Sequence, residues 1–327
     1  MTLDLSVIIV NWNGGDLLRR SVASVVTAAP AIPYEILVVD NASADDSLAG
    51  LRRDPAASPL IRDGRLRVVE NADNRGFGAA NNHAFQLSRS PFLLLLNPDT
   101  IVTPGAIESL IAVLRSDPRI AMCGPRLLNA DGSVQISVWR NPPAAWEIVL
   151  SNLRLYKLLP RSIRGALLLG PHWPHDRRRN VRMLSAAALM VRREAVDAVG
   201  GFDERFHMYA EDNEWCLRMA RAGWLLVFEP AAVVRHDEAQ SSLKRWNSLE
   251  KRRLQLESSY LFQRLSVPRR HLIANQLALC ATAWLQCGWR RIRGVDTTEM
   301  AMVTRVHARH LTQALRGQPP PEDRTRS

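Results

Sequence analysis

Four short, almost uninterrupted apolar runs limit what this chain can fold into more than any other feature: LSVIIV (5–10), EILVVD (35–40), LRVVE (66–70) and FLLLLN (92–97). Runs without a polar alternation have no face to offer water, so both faces must be covered. That is the situation of a parallel strand with helices above and below. Helix-like segments fall between them, at 15–28, 44–53, 76–89 and 104–116, the last opened by Thr103-Pro104 as an expected N-cap and N1 pair. The reading is an α/β fold with a mostly parallel central sheet flanked by helices. Ligands are then expected at the carboxyl ends of the strands.

Beyond residue 120 the pattern loosens. Asp131-Gly132 signals a hairpin, residues 141–182 are rich in Pro, Arg and Trp around an apolar island at 163–170, and LSAAALMV (184–191) restores order. A helix is expected from Glu211 to Ala222, stopped by Gly223, followed by a strand WLLVFEP (224–230). After about residue 240 the chain reads as helices. The expected organisation is a catalytic domain over 1–240, a basic helical extension over 241–316 and a disordered tail, 317–327, where prolines and charges replace apolar residues.

Residues that carry chemistry sit where strands end or helices start. Asn11 and Asn13 follow the first strand, and Asp40-Asn41 close the second, where a carboxylate can hydrogen-bond a base or ribose. Asn74-Arg75-Gly76 opens a stretch running to Asn81-Asn82; small residues at a helix start let N–H groups approach a phosphate, and Arg75 adds a cation. The fourth strand ends in Asn97-Pro98-Asp99. Two oxygen-bearing side chains at this spacing suit Mg²⁺ or Mn²⁺ against a diphosphate. Glu211-Asp212 opens a helix and offers a general base. His236, beyond the next strand, is a third candidate ligand.

Other classes fit poorly. The first turn, Asn11-Trp12-Asn13-Gly14-Gly15-Asp16, lacks the Gly-x-Gly-x-x-Gly of a dinucleotide fold and the basic glycine-rich loop of a nucleotidylyltransferase. The four cysteines show no metal-ligand spacing, and no secretory signal opens the chain; a reducing, cytoplasmic setting is expected. The net charge of +11 is unevenly spread: residues 241–327 hold 16 Lys and Arg against 6 Asp and Glu, and residues 151–193 hold 10 against 1. Such segments suit a polyanionic surface. No nucleic-acid-binding motif accompanies them, which leaves an anionic membrane.

Taken together, VIIVNWN (7–13), ILVVDNAS (36–43), NRGFGAANN (74–82), LLLLNPD (93–99), GGFDERF (200–206) and YAEDNEWCLRMARAGW (209–224) resemble the family 2 glycosyltransferases of GT-A fold, and within them the bacterial rhamnosyltransferase-like branch. The resemblance spans about residues 3–240. It implies an inverting enzyme that uses a nucleotide-sugar donor, dTDP-L-rhamnose first, and a glycan or polyprenyl-diphosphate-linked acceptor. Asp40 then contacts the nucleotide, Asn97 and Asp99 stand at the family's Asp-x-Asp, and Asp212 is the base with Glu211 beside it. Two departures are visible: Asn97 replaces the first aspartate, and His236-Asp237-Glu238-Ala239 stands where relatives often carry a second histidine and glycines.

In the C-terminal piece, residues 272–289 are apolar but interrupted by Asn275, Gln276 and Gln286, too short and polar for a spanning helix. Arg269-Arg270, Arg290-Arg291-Arg293, Trp284 and Trp289 resemble an interfacial helix. The expected placement is peripheral, on the inner face of the cell membrane, with a homodimer interface competing for the same apolar surface.

Overall fold

The computed structural model describes residues 3–28, 31–138, 142–160, 163, 173–237 and 248–318. The tail from 319, the apolar island from 164 and Glu238-Ala239 lie outside the described residues. The chain divides into two compact units. One gathers Met1–Trp139, His175–His207 and Glu211–Arg245; the other gathers Arg140–Pro174, Met208–Ala210 and Trp246–Ser327.

The first unit is built on a nine-stranded sheet flanked by helices. Its parallel block is formed by β1 (Leu5–Asn11), β2 (Tyr34–Asp40), β3 (Leu66–Glu70) and β4 (Phe92–Leu96). Every residue of β1, β2 and β4 is buried, as their unbroken apolar character requires. The crossovers carry α1 (Asp16–Ala28), α2 (Ser47–Arg53), α3 (Ala57–Arg62) and α4 (Phe77–Leu87). After β4 come β5 (Thr100–Val102), α5 (Ala106–Ser116), β6 (Ile120–Leu128), β7 (Arg179–Val181), β8 (Ala188–Arg192), α7 (Arg193–Val199), α8 (Glu211–Arg221) and β9 (Leu225–His236). The strand order is β3-β2-β1-β4-β8-β6-β9-β5, with β7 on β9. β8 reverses direction between β4 and β6, and β9 runs parallel to β6.

Two elements exceed what the sequence announces. β6 is disguised by Gly124-Pro125, and β9 passes Pro230 to reach His236. Their pairing slips at two places, between Ile120 and Met122 and, more widely, from Pro125↔Glu229 to Arg126↔Val233. Proline, which has no N–H for the ladder, is tolerated at such an irregularity. Thr103-Pro104 does not cap α5. Gly105 occupies the N-cap with φ 77°, while the Thr103 hydroxyl donates to Val233 O at 2.8 Å. The hairpin signal does form a turn: Asn129 N donates to Ser133 O at 2.8 Å and Leu128 bridges Val134.

The second unit contains α6 (Ala145–Asn152), α9 (Ser248–Ser266), α10 (Arg269–Ile292) and α11 (Thr298–Arg316). Its apolar clusters are small, such as Leu256, Ala283, Val303 and Val306. Polar bonds supplement them: Asn275 Nδ2 donates to Pro143 O at 2.9 Å, and Asn152 Nδ2 donates to Thr282 Oγ1 at 2.9 Å. Among the described residues, no helix is long and apolar enough to cross a membrane. All four cysteines are free thiols.

Candidate active site

Because β1, β2 and β4 are parallel, Asn11, Asp40 and Asn97 arrive at one edge of the sheet, with Asn11 directly opposite Asp40. Asp40 is buried and already well bonded. Its Oδ1 accepts from Asn11 Nδ2 and Ser43 Oγ, both at 2.7 Å, and its Oδ2 accepts from Ser43 N at 2.8 Å. Asn13 and Asn41 brace neighbouring loops: Asn13 Oδ1 accepts from Ala44 N at 2.8 Å, and Asn41 Nδ2 donates to Gly76 O at 3.1 Å. The buried Asn11 Oδ1 is left without a hydrogen-bond partner among the described residues.

Asn97-Pro98-Asp99-Thr100 forms a tight turn, closed by Thr100 N donating to Asn97 O at 3.2 Å. β5 then pairs Thr100 with His236 of β9, which delivers the imidazole to the turn. His236 Nε2 stands 3.2 Å from Asp99 Oδ1, a buried oxygen that no described group hydrogen-bonds. The other ring nitrogen settles the tautomer: Nδ1 lies 2.8 Å from Gln135 Oε1, which can only accept, so Nδ1 carries the proton. In the neutral ring, Nε2 therefore presents a lone pair toward a carboxylate oxygen, with Asn97 Nδ2 donating from 3.3 Å. A carboxylate oxygen and an imidazole lone pair facing each other fit a divalent cation. Among the described residues no three His, Cys, Asp or Glu side chains converge as a complete ligand set. A cation that also takes phosphate and water oxygens needs only one or two protein carboxylates.

The second acidic station opens α8. Tyr209 and Ala210 both adopt left-handed backbone (φ 69° and 66°) immediately before Glu211. Ala186 N and Asn213 N donate to the two oxygens of Asp212, at 3.3 and 2.8 Å. Burial pushes the carboxyls of both Glu211 and Asp212 well up from the ordinary range, and the charge of Asp212 adds to the rise at Glu211. Glu211 Oε2 has no hydrogen-bond partner among the described residues. The two stations are neighbours: Ala186 holds Asp212, and the next residue, Ala187, accepts the Asn97 N–H through its carbonyl at 2.9 Å.

The loop before α4 is shaped by Asn74, whose Oδ1 accepts from Gly76 N at 3.0 Å. Gly76 has φ 92°, and a Cβ there would lie 2.6 Å from His207 O. Arg75 is largely exposed, its nearest acid being Glu204 at 3.5 Å. Asn81 turns back on its own helix, donating to Phe77 O at 2.9 Å. Its neighbour Asn82 makes the longer reach: Nδ2 donates to Phe202 O and Glu204 Oε1, both at 2.9 Å, and Oδ1 accepts from Phe202 N at 2.8 Å. Asn82 thus holds the Gly200-Gly201-Phe202 loop against α4, and Phe202 packs 4.3 Å from the ring of Trp215 in α8. The sequence motif contains Asn82 but nothing in it separates this role from that of Asn81. Gln135 is likewise invisible as a partner of His236, since 101 residues separate them.

With this geometry in place, comparisons with known proteins agree on its kind. The model of the Glycosyl transferase family 2 matches residues 6–200. The N-acetylglucosaminyl-diphospho-decaprenol L-rhamnosyltransferase of Mycobacterium tuberculosis is 32% identical over 269 residues, covering 74% of this chain and 78% of that protein. The pre-mycofactocin glycosyltransferase of the same species is 30% identical over 247 residues, covering 74% of this chain and 44% of that protein. Among solved structures, the mannosyltransferase PcManGT from Pyrobaculum calidifontis, in complex with GDP-Man and Mn²⁺, aligns with a TM-score of 0.57 at 16% identity, over 98% of this chain and 89% of that one. GalNAc-T7, solved with UDP, GalNAc and Mn²⁺, aligns with a TM-score of 0.58 at 16% identity, over 96% of this chain and 56% of that one. The sheet order and helical layers are accordingly those of a GT-A fold, and this chain belongs to the family 2 glycosyltransferases.

Proposed function

We propose that this chain is an inverting, metal-dependent transferase that moves a sugar from a nucleoside-diphosphate donor, dTDP-L-rhamnose first, to a hydroxyl of a glycan or polyprenyl-diphosphate-linked glycan in cell-surface polysaccharide synthesis. The donor and acceptor classes rest on the M. tuberculosis relative, whose name specifies L-rhamnosyl transfer to a decaprenyl-diphosphate-linked sugar. One observation carries the mechanism: Ala186-Ala187 joins the two acidic stations, Ala186 N–H donating to Asp212 and Ala187 O accepting from Asn97 N–H, at the start of the turn that carries Asp99.

In this reading Asp212 takes the proton of the acceptor hydroxyl as it attacks the anomeric carbon from the face opposite the leaving group. A carboxyl raised by burial is a better base than an ordinary one. Ala186 N–H and the backbone and side-chain N–H groups of Asn213 fix its orientation: Asn213 takes up both lone pairs of Oδ1, and Oδ2, which accepts from Ala186 N–H, keeps a lone pair for the proton. Asp99 and His236, with Asn97 assisting, would hold Mn²⁺ or Mg²⁺, and that cation would supply positive charge to the departing diphosphate. Arg75 and the N–H groups opening α4 support the same phosphates. Asn11, Asn13, Asp40, Asn41 and Asn74 shape the nucleotide edge, and Asn81 secures the helix behind it. Residues 1–240 perform the chemistry, and the basic helices after 240 hold the protein at the inner face of the membrane, where a lipid-linked acceptor resides.

The test is incubation with dTDP-L-rhamnose, Mn²⁺ and a polyprenyl-diphosphate-linked N-acetylglucosamine, with the product's anomeric configuration read by NMR. Transfer with inversion is expected, and chelation by EDTA should abolish it. Absence of turnover across dTDP-, UDP- and GDP-sugars would reduce the chain to a non-catalytic scaffold.

A further inference from the structure

Helix α10 is built inside out. Its polar residues face the interior of the second unit: Asn275 and Gln276 are buried, Asn275 donates to Pro143 O and Gln263 Oε1, and Gln286 Nε2 donates to Asn152 O at 2.6 Å. Thr282 is buried with them. The opposite face is apolar and open. Leu277 is 51% exposed, Trp284 69%, Leu285 48%, Trp289 58% and Ile292 81%. Their spacing of seven, eight, twelve and fifteen residues from Leu277 keeps them on one side of an α-helix. The polar interruptions that make α10 unfit to span a membrane thus leave its outer surface uninterrupted.

The charge around this face says what covers it. α10 contains four arginines and no acidic residue. Arg270 lies at one end of the apolar stretch, and Arg290 and Arg291 at the other, followed by Arg293, whose guanidinium sits 4.4 Å from the centre of the Trp289 ring. All four are exposed. Over the roughly 22 Å from Leu277 to Ile292, at about 1.5 Å per residue, indole and aliphatic groups are available to an acyl layer while the flanking arginines meet anionic headgroups. A second copy pairing through this face in antiparallel register would bring the two arginine clusters toward each other's ends with no acidic residue of the helix to offset them; Asp296, past the helix end, is a single acid beside Arg290.

We infer that the outer face of α10 is a docking surface for an anionic lipid bilayer, on which the helix lies flat. This deepens the reading of a membrane-linked acceptor, but its test does not depend on catalysis. The full chain is sedimented with vesicles of phosphatidylcholine alone or with phosphatidylglycerol added. Binding is expected only to the anionic vesicles, with weakening at high salt and a blue shift of tryptophan emission. Replacing Arg290, Arg291 and Arg293 by Gln should weaken that binding on the order of a hundredfold, and W284S/W289S should abolish the blue shift. Both variants alter exposed side chains, and unchanged melting temperatures and donor-induced thermal shifts would confirm intact folding and an intact active site. Equal indifference of the wild-type chain to both vesicle types overturns the inference. So does a dimer, measured by light scattering, that W284S/W289S dissociates while vesicle binding persists. Loss of transfer with vesicle binding retained would instead count against the catalytic reading alone.

Discussion

Burial that raises the carboxyls of Glu211 and Asp212 also costs the fold something. A group whose folded pKa lies above its unfolded value holds a proton the unfolded chain has lost, so stability falls as pH rises from the ordinary carboxylate range, near 4, through the raised folded value. Glu211→Gln removes one of the two groups. It should melt at a higher temperature than wild type at neutral pH and show a flatter dependence of melting temperature on pH; an unchanged slope would show that Glu211 stays ionised in the fold. Asp212→Asn keeps the shape of the site and its donor from Ala186 but cannot accept a proton. Transfer should fall by roughly 10²–10⁴-fold, measured by initial rates at saturating donor, while the variant still melts in one cooperative transition at a temperature no lower than wild type at neutral pH. Gln135 acts one step removed. Without its Oε1, the longer contact from Asn97 Nδ2 is left to fix which ring nitrogen of His236 carries the proton. Gln135→Leu should weaken Mn²⁺ binding by about 10- to 100-fold, the usual effect of losing an outer partner of a ligating histidine, as read by calorimetry in the presence of nucleoside diphosphate.

At the scale of elements, two loops set the position of the chemistry. The loop into α4 needs a residue with left-handed freedom at Gly76, and the space there is taken by His207 O. Gly76→Ala should destabilise the protein by about 1–3 kcal/mol through backbone strain alone, with further loss from the clash, measured by denaturant unfolding. The loop into α8 is held by a two-way grip: Asn82 on Phe202 and Glu204, and Arg218 donating to Val199 O and Gly201 O at 2.9 and 2.8 Å. A Cβ at residue 201 would fall 2.1 Å from Asn82 Oδ1, while Gly200 holds φ 88°, so each glycine of the pair before Phe202 has its own reason. The acidic motif of α8 is therefore placed by α4, a helix read on its own as a phosphate-binding start.

At the scale of the molecule, the charge is sorted by segment. Residues 241–327 and 151–193 are basic, while the remaining residues hold more acids than bases. A nucleotide-sugar is itself an anion, and in the proposed reading it reaches the acidic part of the chain only with a cation to bridge it. Nucleoside diphosphate should thus raise the melting temperature more in the presence of Mn²⁺ than in its absence. At a ligand concentration a hundred times its Kd the stabilisation is about 2.7 kcal/mol. A thermal-shift series with and without Mn²⁺ checks this, and equal shifts in both would remove the cation from donor binding.

The buried parallel strands β1, β2 and β4, the helices α1, α2 and α4, and the acidic openings at Asp99 and Glu211 were legible in sequence, because each follows from local patterning: an unbroken apolar run, or a polar residue where that run stops. β6 and the far end of β9 were not, since Pro125 and Pro230 look like breaks until a neighbouring strand supplies the irregularity that accommodates them. The pairing of β5 with β9 brings His236 to Asp99, a side-chain bond joins Gln135 to His236, and contacts within the second unit turn the polar residues of α10 inward. These contacts join positions that local periodicity treats as unrelated, and only burial and hydrogen-bond satisfaction in three dimensions select them.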